Sequence, residues 1–125
     1  RQAGIIAAAG IVAITEMVER LADDHANAKA LAQGLAQIDG IVINPDEVET
    51  NLVFFSLGRT DITPTQFASE LAAHGVLLLP MGGRRLRAVV NYHMTPEDVQ
   101  PAVAAVKAVL AGDIQKSDKP AFVYN

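Results

Sequence analysis

The chain has 125 residues, 50% apolar and 19% charged, enough for one globular domain with a single core. Its net charge of −4 provides no basic field for nucleic acid or acidic lipid, and only Arg84, Arg85 and Arg87 concentrate positive charge. The absence of cysteine excludes disulfides and thiolate metal sites, which suits a reducing, cytoplasmic setting.

From Gly4 to Ile38, apolar side chains recur at three- and four-residue steps through Ile11, Ile14, Val18, Leu21, Ala28, Leu31 and Leu35. This spacing predicts one long amphipathic helix or two nearly collinear ones. His25 falls on the same stripe and reads as a core or interface histidine. A helix of about thirty residues would run roughly 45 Å, longer than a domain of this size, so its start must project. The segment from Ile5 to Val12 is apolar nearly all round and needs a covering surface. It is too short to span a bilayer, and it leads into Glu16, Glu19, Arg20, Asp23 and Asp24 without a cleavage-like break, which argues against an export signal. The chain opens at Arg1, already inside what reads as helix interior, so a piece of a longer polypeptide is expected. Asp39-Gly40 ends the helix.

Ile41 to Asn44 reads as a short strand, Pro45 to Glu49 as a turn, and Asn51 to Leu57 as a second strand. Apolar residues on both parities of the second strand predict burial on both faces and a central place in the sheet. Thr63-Pro64-Thr65-Gln66 opens a helix, with threonine at the cap, proline at the first position and glutamine three residues after the cap. Phe67 and Leu71 face the core, and His74-Gly75 closes the helix before a strand at Val76 to Leu79. Pro80 to Gly83 makes a turn, in which Gly82-Gly83 fits either an anion cradle or a hairpin with positive φ. Thr95-Pro96-Glu97-Asp98 repeats the capping device, and Val99, Val103, Val106 and Leu110 form the buried stripe of a last helix that stops at Gly112.

The stretch from Leu86 to Met94 reads as a strand ending at a site, with Arg87, Asn91 and His93 on one polar face. The fork of an arginine matches a planar carboxylate, so Arg87 fits an anionic ligand. It also fits an ordinary ion pair with a neighbouring Asp or Glu. None of the four lysines (Lys29, Lys107, Lys116, Lys119) sits in an apolar pocket that would suit Schiff-base chemistry. No metal-ligand spacing, nucleophile elbow or phosphate loop is present. The order is a long helix, then β-β-α-β-β-α, an α+β fold with a small, mostly antiparallel sheet covered by helices on one face. Three segments follow: the long helix over 1–38, a small α/β domain over 39–112, and an irregular tail over 113–125, either docked through its aromatics Phe122 and Tyr124 or disordered.

Several motifs resemble the threonine aldolases of the beta-eliminating lyase group. Arg1-Gln2-Ala3-Gly4 and the alanine-rich helix after it resemble the segment that follows the cofactor lysine. Val18-Glu19-Arg20-Leu21-Ala22-Asp23-Asp24-His25 resembles the family's interdomain helix, Thr50-Asn51-Leu52-Val53-Phe54-Phe55 one of its strands, and Leu86-Arg87-Ala88-Val89 with Tyr92 its substrate-arginine strand. The resemblance covers roughly Arg1 to Leu110 in one register.

It implies the C-terminal small domain of a fold-type I enzyme dependent on pyridoxal 5'-phosphate that cleaves threonine or allo-threonine to glycine and acetaldehyde. By the same resemblance Arg87 binds the substrate carboxylate, and Arg1 lies near the cofactor phosphate or the subunit interface. Val90 and Asn91 depart from the family's threonine and histidine, so neither is given a catalytic role. The Schiff-base lysine, the ring-stacking histidine and the aspartate facing the pyridine nitrogen belong to the N-terminal large domain, and no residue here matches them. The chain alone is therefore expected to be inactive. The large domain and further copies, as dimer or tetramer, are its expected partners, with a small amino acid as substrate and no nucleic acid or membrane. The alternative is a non-catalytic module that binds small carboxylates through Arg87 or another protein through the apolar first helix.

Overall fold

The computed structural model describes residues 2–112, so Arg1 and the tail 113–125 lie outside the described residues. The N-terminal stretch forms two helices, α1 (Ala3–Glu16) and α2 (Leu21–Leu35), separated by turns at Met17 to Arg20. Alanine and isoleucine carry α1 by helix propensity alone, for it has no side-chain cap and no buried residue. The core-facing side of α2 holds Asp24, Asn27, Ala28, Leu31, Ala32 and Leu35. His25 is exposed, so it is not a core residue, because Asp24 and Asn27 take the inward positions at the start of α2. Gly40, with φ +89°, adopts the left-handed conformation that turns the chain into the sheet.

Four strands, β1 (Ile41–Val42), β2 (Leu52–Leu57), β3 (Leu79–Pro80) and β4 (Arg85–Val89), make an antiparallel sheet in the order β1-β2-β4-β3. A short 3-10 turn, Pro45–Glu47, links β1 to β2. The remaining helices are α3 (Pro64–Ala73) and α4 (Pro96–Ala111), giving the expected β-β-α-β-β-α order. Thr63 and Gln66 form the reciprocal cap of α3, while the N–H and hydroxyl of Thr95 both donate to Asp98 (2.8 Å each) at the start of α4.

Val53, Phe55 and Leu57 of β2 and Leu86 and Ala88 of β4 point to one face, where they join Leu31, Leu35, Phe67, Leu71, Val99 and Val106 in a single core. β2 is central in the sheet, as its apolar character predicts. Its second face is not buried: Leu52 is 37% exposed and Phe54 and Ser56 are half-buried, because helices cover only one side. Leu52, Phe54, Arg85, Arg87, Val89, Val42 and Leu79 share that open outer face through the strand register.

Two strand boundaries also differ from expectation. β3 is only Leu79–Pro80, since Val76 to Leu78 approach the sheet without pairing in it. β4 stops at Val89, after which the chain turns over Asn91 to Met94. Arg87, Asn91 and His93 therefore do not form one strand face. Gly82 and Gly83, at φ +89° and +55°, make the turn between β3 and β4, closed by Met81 N–H donating to the carbonyl of Arg85 (2.8 Å). Among the described residues no helix is long and apolar enough to cross a membrane.

Candidate functional site

Arg87 lies in the middle of β4, opposite Phe54 of β2 on one side and Leu79 of β3 on the other. Pairing on both edges fixes its backbone, and the alternation that buries Leu86 and Ala88 directs its side chain to the open face. The Nε of Arg87 is buried and has no hydrogen-bond partner among the described residues. No carboxylate among them pairs with it, the recorded ion pairs being Arg20–Asp24, Lys29–Asp46 and Arg59–Asp61. A buried guanidinium N–H left unpaired costs about 1–3 kcal/mol, a cost that an anion bound there would offset.

The other two cations of the basic stretch are used differently. Arg84 donates from Nε to the Leu57 carbonyl (2.8 Å) and from Nη2 to the Ile62 carbonyl (3.0 Å), tying the end of β2 to the loop before α3. The guanidinium of Arg85 stacks over the Phe54 ring at 4.6 Å on the outer face. Arg85 and Arg87 thus flank one aromatic ring on the same surface.

Beyond β4, Asn51 grips Val90 twice: its Nδ2 donates to the Val90 carbonyl (2.8 Å) and its own carbonyl accepts from Val90 N–H (2.9 Å). The Oδ1 of Asn91 accepts from His93 N–H (3.0 Å), and the rings of Tyr92 and His93 lie 3.9 Å apart. Helix α2 holds the same turn, Asn27 Nδ2 donating to the Met94 carbonyl (3.1 Å) while Arg20 sits 5.4 Å from the centre of the Tyr92 ring. Arg20 is itself forked onto both oxygens of the buried Asp24 (3.1 and 3.3 Å). Asn91 and His93 therefore shape a turn and do not extend the Arg87 site. Sequence reading gave Arg20, Asp24, Asn27 and Asn51 no such role, although two polar residues on the inward side of an apolar helix are the signal that could have found them.

Elsewhere, Lys29 donates to the Pro45 carbonyl (2.7 Å) and pairs with Asp46. Arg59 clasps Asp61 and donates to the Leu110 carbonyl (2.5 Å) at the end of α4, and its hydrogen bond holds the exposed Asp61 carboxyl below the usual carboxylate range. Arg1, the candidate cofactor contact, lies outside the described residues. No cluster of histidine and carboxylate residues among the described ones could hold a metal ion.

The family model for beta-eliminating lyases matches residues 1–57. Low-specificity L-threonine aldolase 1 of Arabidopsis thaliana is 37% identical over 100 residues, covering 79% of this chain and 28% of that protein. The low specificity L-threonine aldolase of Escherichia coli K12 is 32% identical over 111 residues, covering 89% of this chain and 31% of that one. A solved structure, described as MppP soaked with the product 2-ketoarginine, superimposes with a TM-score of 0.60 at 19% identity over 79% of this chain and 30% of its own, a likeness of fold. The chain thus spans under a third of the length of the aldolases it matches. That similarity runs through both halves of the described fold, so the chain is similar to the beta-eliminating lyase family along most of its length.

Proposed function

We propose that these residues form the C-terminal, small-domain part of a pyridoxal-phosphate-dependent threonine aldolase, with Arg87 binding the carboxylate of threonine or allo-threonine. One observation carries the reading: the guanidinium of Arg87 is half-buried on the uncovered sheet face, with Nε enclosed and unbonded. A bidentate carboxylate is the complement of that fork. In this reading residues 1–38 connect the domains, 39–112 are the small domain, and Arg1 lies near the cofactor phosphate or the subunit interface. The enzyme is a cytoplasmic homo-oligomer, a dimer or tetramer.

The cofactor, when bound, supplies an electron sink for the pair released as Cα–Cβ breaks. The described residues do not by themselves fit it. Lys29 is engaged with Pro45 and Asp46, and Lys107 is exposed on α4, so neither is the desolvated amine that aldimine chemistry requires. The large domain is the source of that lysine in this reading, and the 125-residue chain alone releases no glycine from threonine.

In the longer enzyme that contains these residues, Arg87→Ala is expected to raise KM for L-threonine about a hundredfold, the loss of one partner of a buried charge pair being worth about 2–5 kcal/mol. Arg87→Lys recovers part of the loss, since an ammonium keeps the charge without the fork. An unchanged KM in Arg87→Ala would overturn the assignment. If the 125-residue chain bound glycine by itself in an Arg87-dependent way, the carboxylate-binding module would become the better reading.

A further inference from the structure

The edge of β2 beside β1 is only partly covered. The hydrogen bond from Val90 N–H to Asn51 O sets the phase of the β2–β4 ladder, so Val53 and Phe55 bond to β4 and the backbone groups of Leu52, Phe54 and Ser56 face the other way. On that side β1 supplies a partner only as far as Val42, opposite Ser56. The residue that would continue the ladder opposite Phe54 is Asn44, but it caps the 3-10 turn, its Oδ1 accepting from Asp46 N–H (3.1 Å). The N–H and C=O of Phe54 therefore have no backbone partner among the described residues. They open into a groove of about 460 Å³ lined by Val42, Ile43, Glu47, Val48, Leu52 and Arg85, among others.

We infer that this groove takes one extended strand of another polypeptide, added antiparallel to β2, with an acidic side chain opposite Phe54 and apolar residues on either side of it. An unpaired strand edge is a template for such addition, main-chain bonds giving affinity and alternate side-chain positions giving specificity. The residue opposite Phe54 exchanges both hydrogen bonds with it and points its side chain to the outer face. There Arg85, which lines the groove, stacks on Phe54 and forms no ion pair among the described residues, is a cation within that neighbourhood. The two flanking residues turn to the opposite side of the added strand, beside Ile43 and Val48, which calls for apolar side chains. The order apolar, acidic, apolar follows from the geometry of the groove and is independent of the aldolase reading.

The test uses the 125-residue chain and the synthetic peptide acetyl-Thr-Val-Glu-Val-Thr-amide, followed by backbone amide NMR. The expected result is saturable binding that shifts the Phe54 amide and slows its exchange with solvent. Replacing the peptide glutamate by lysine, or making Arg85→Ala in the chain, weakens binding about threefold or more, the scale of an exposed ion pair. N-methylation of the peptide glutamate removes the donor to the Phe54 carbonyl and abolishes binding while leaving the chain unaltered. Absence of any Phe54 shift, equal binding of the lysine peptide, or tolerance of N-methylation would overturn the proposal. So would a Phe54 amide already protected in the longer enzyme, which would mean that the enzyme's own chain fills the groove.

Discussion

Arg87 has an enclosed Nε, no acidic partner among the described residues, and apolar register neighbours in Phe54 and Leu79. A residue selected for stability alone would not leave a guanidinium N–H unpaired at that depth. Arg87→Met is accordingly expected to leave the folding stability of the 125-residue chain unchanged or raised by about 1 kcal/mol, as sites kept for function often do. Urea denaturation measures this, and a loss above about 2 kcal/mol would assign Arg87 a structural role. Arg20 is the contrasting case, for its guanidinium is saturated by the buried Asp24 and by the Tyr92 ring, and it reads as structural. The sequence pointed to Arg87 through a strand read as ending on a polar face with Asn91 and His93, and through its resemblance to a substrate-arginine strand. It could not tell a free cation from a paired one, since pairing depends on what the neighbouring strands and helices bring near.

At the scale of elements, α2 and α4 pack so closely that a Cβ placed on Gly34 would lie 2.6 Å from a methyl of Val103. Val103 is β-branched and stiff, so the helices would have to part. Gly34→Ala gains about 1 kcal/mol of helix propensity and incurs about 1–3 kcal/mol of overpacking, for a net loss near 1 kcal/mol. A thermal melt should show a Tm lower by several degrees, and a rise would mean that the contact is looser than it is described. The capped helices were legible in the sequence, for Thr63-Pro64 and Thr95-Pro96 mark their own starts by local chemistry. The ends of β3 and β4 were not. Strand length is set by where a partner stops, and Val90 leaves the ladder to be held by Asn51, far away in sequence.

At the scale of the molecule, the helices and the inner sheet face close a core, whereas α1 and the outer sheet face are uncovered among the described residues. Ile5 is 78% exposed and Ile6 77%, with Ile11 and Ile14 nearly as open. Exposed apolar surface of this kind marks a contact with more protein, and the chain's small share of its relatives' length is consistent with that. The 125-residue chain is expected to self-associate at micromolar concentration. Ile5→Lys with Ile11→Lys should shift it towards monomer in sedimentation velocity without lowering its Tm, because α1 contributes nothing to the core. A lower Tm for that variant would show α1 to be part of the folded unit. By itself, the sequence determined the element order, the caps, the α+β class and the family resemblance, since each rests on local patterns of a few residues. Tertiary structure alone decided which face of β2 is buried, where β4 ends, that Asp24 and not His25 turns inward, and that Arg87 has no counter-charge among the described residues. Those outcomes depend on contacts between residues distant in the chain, which local spacing does not encode.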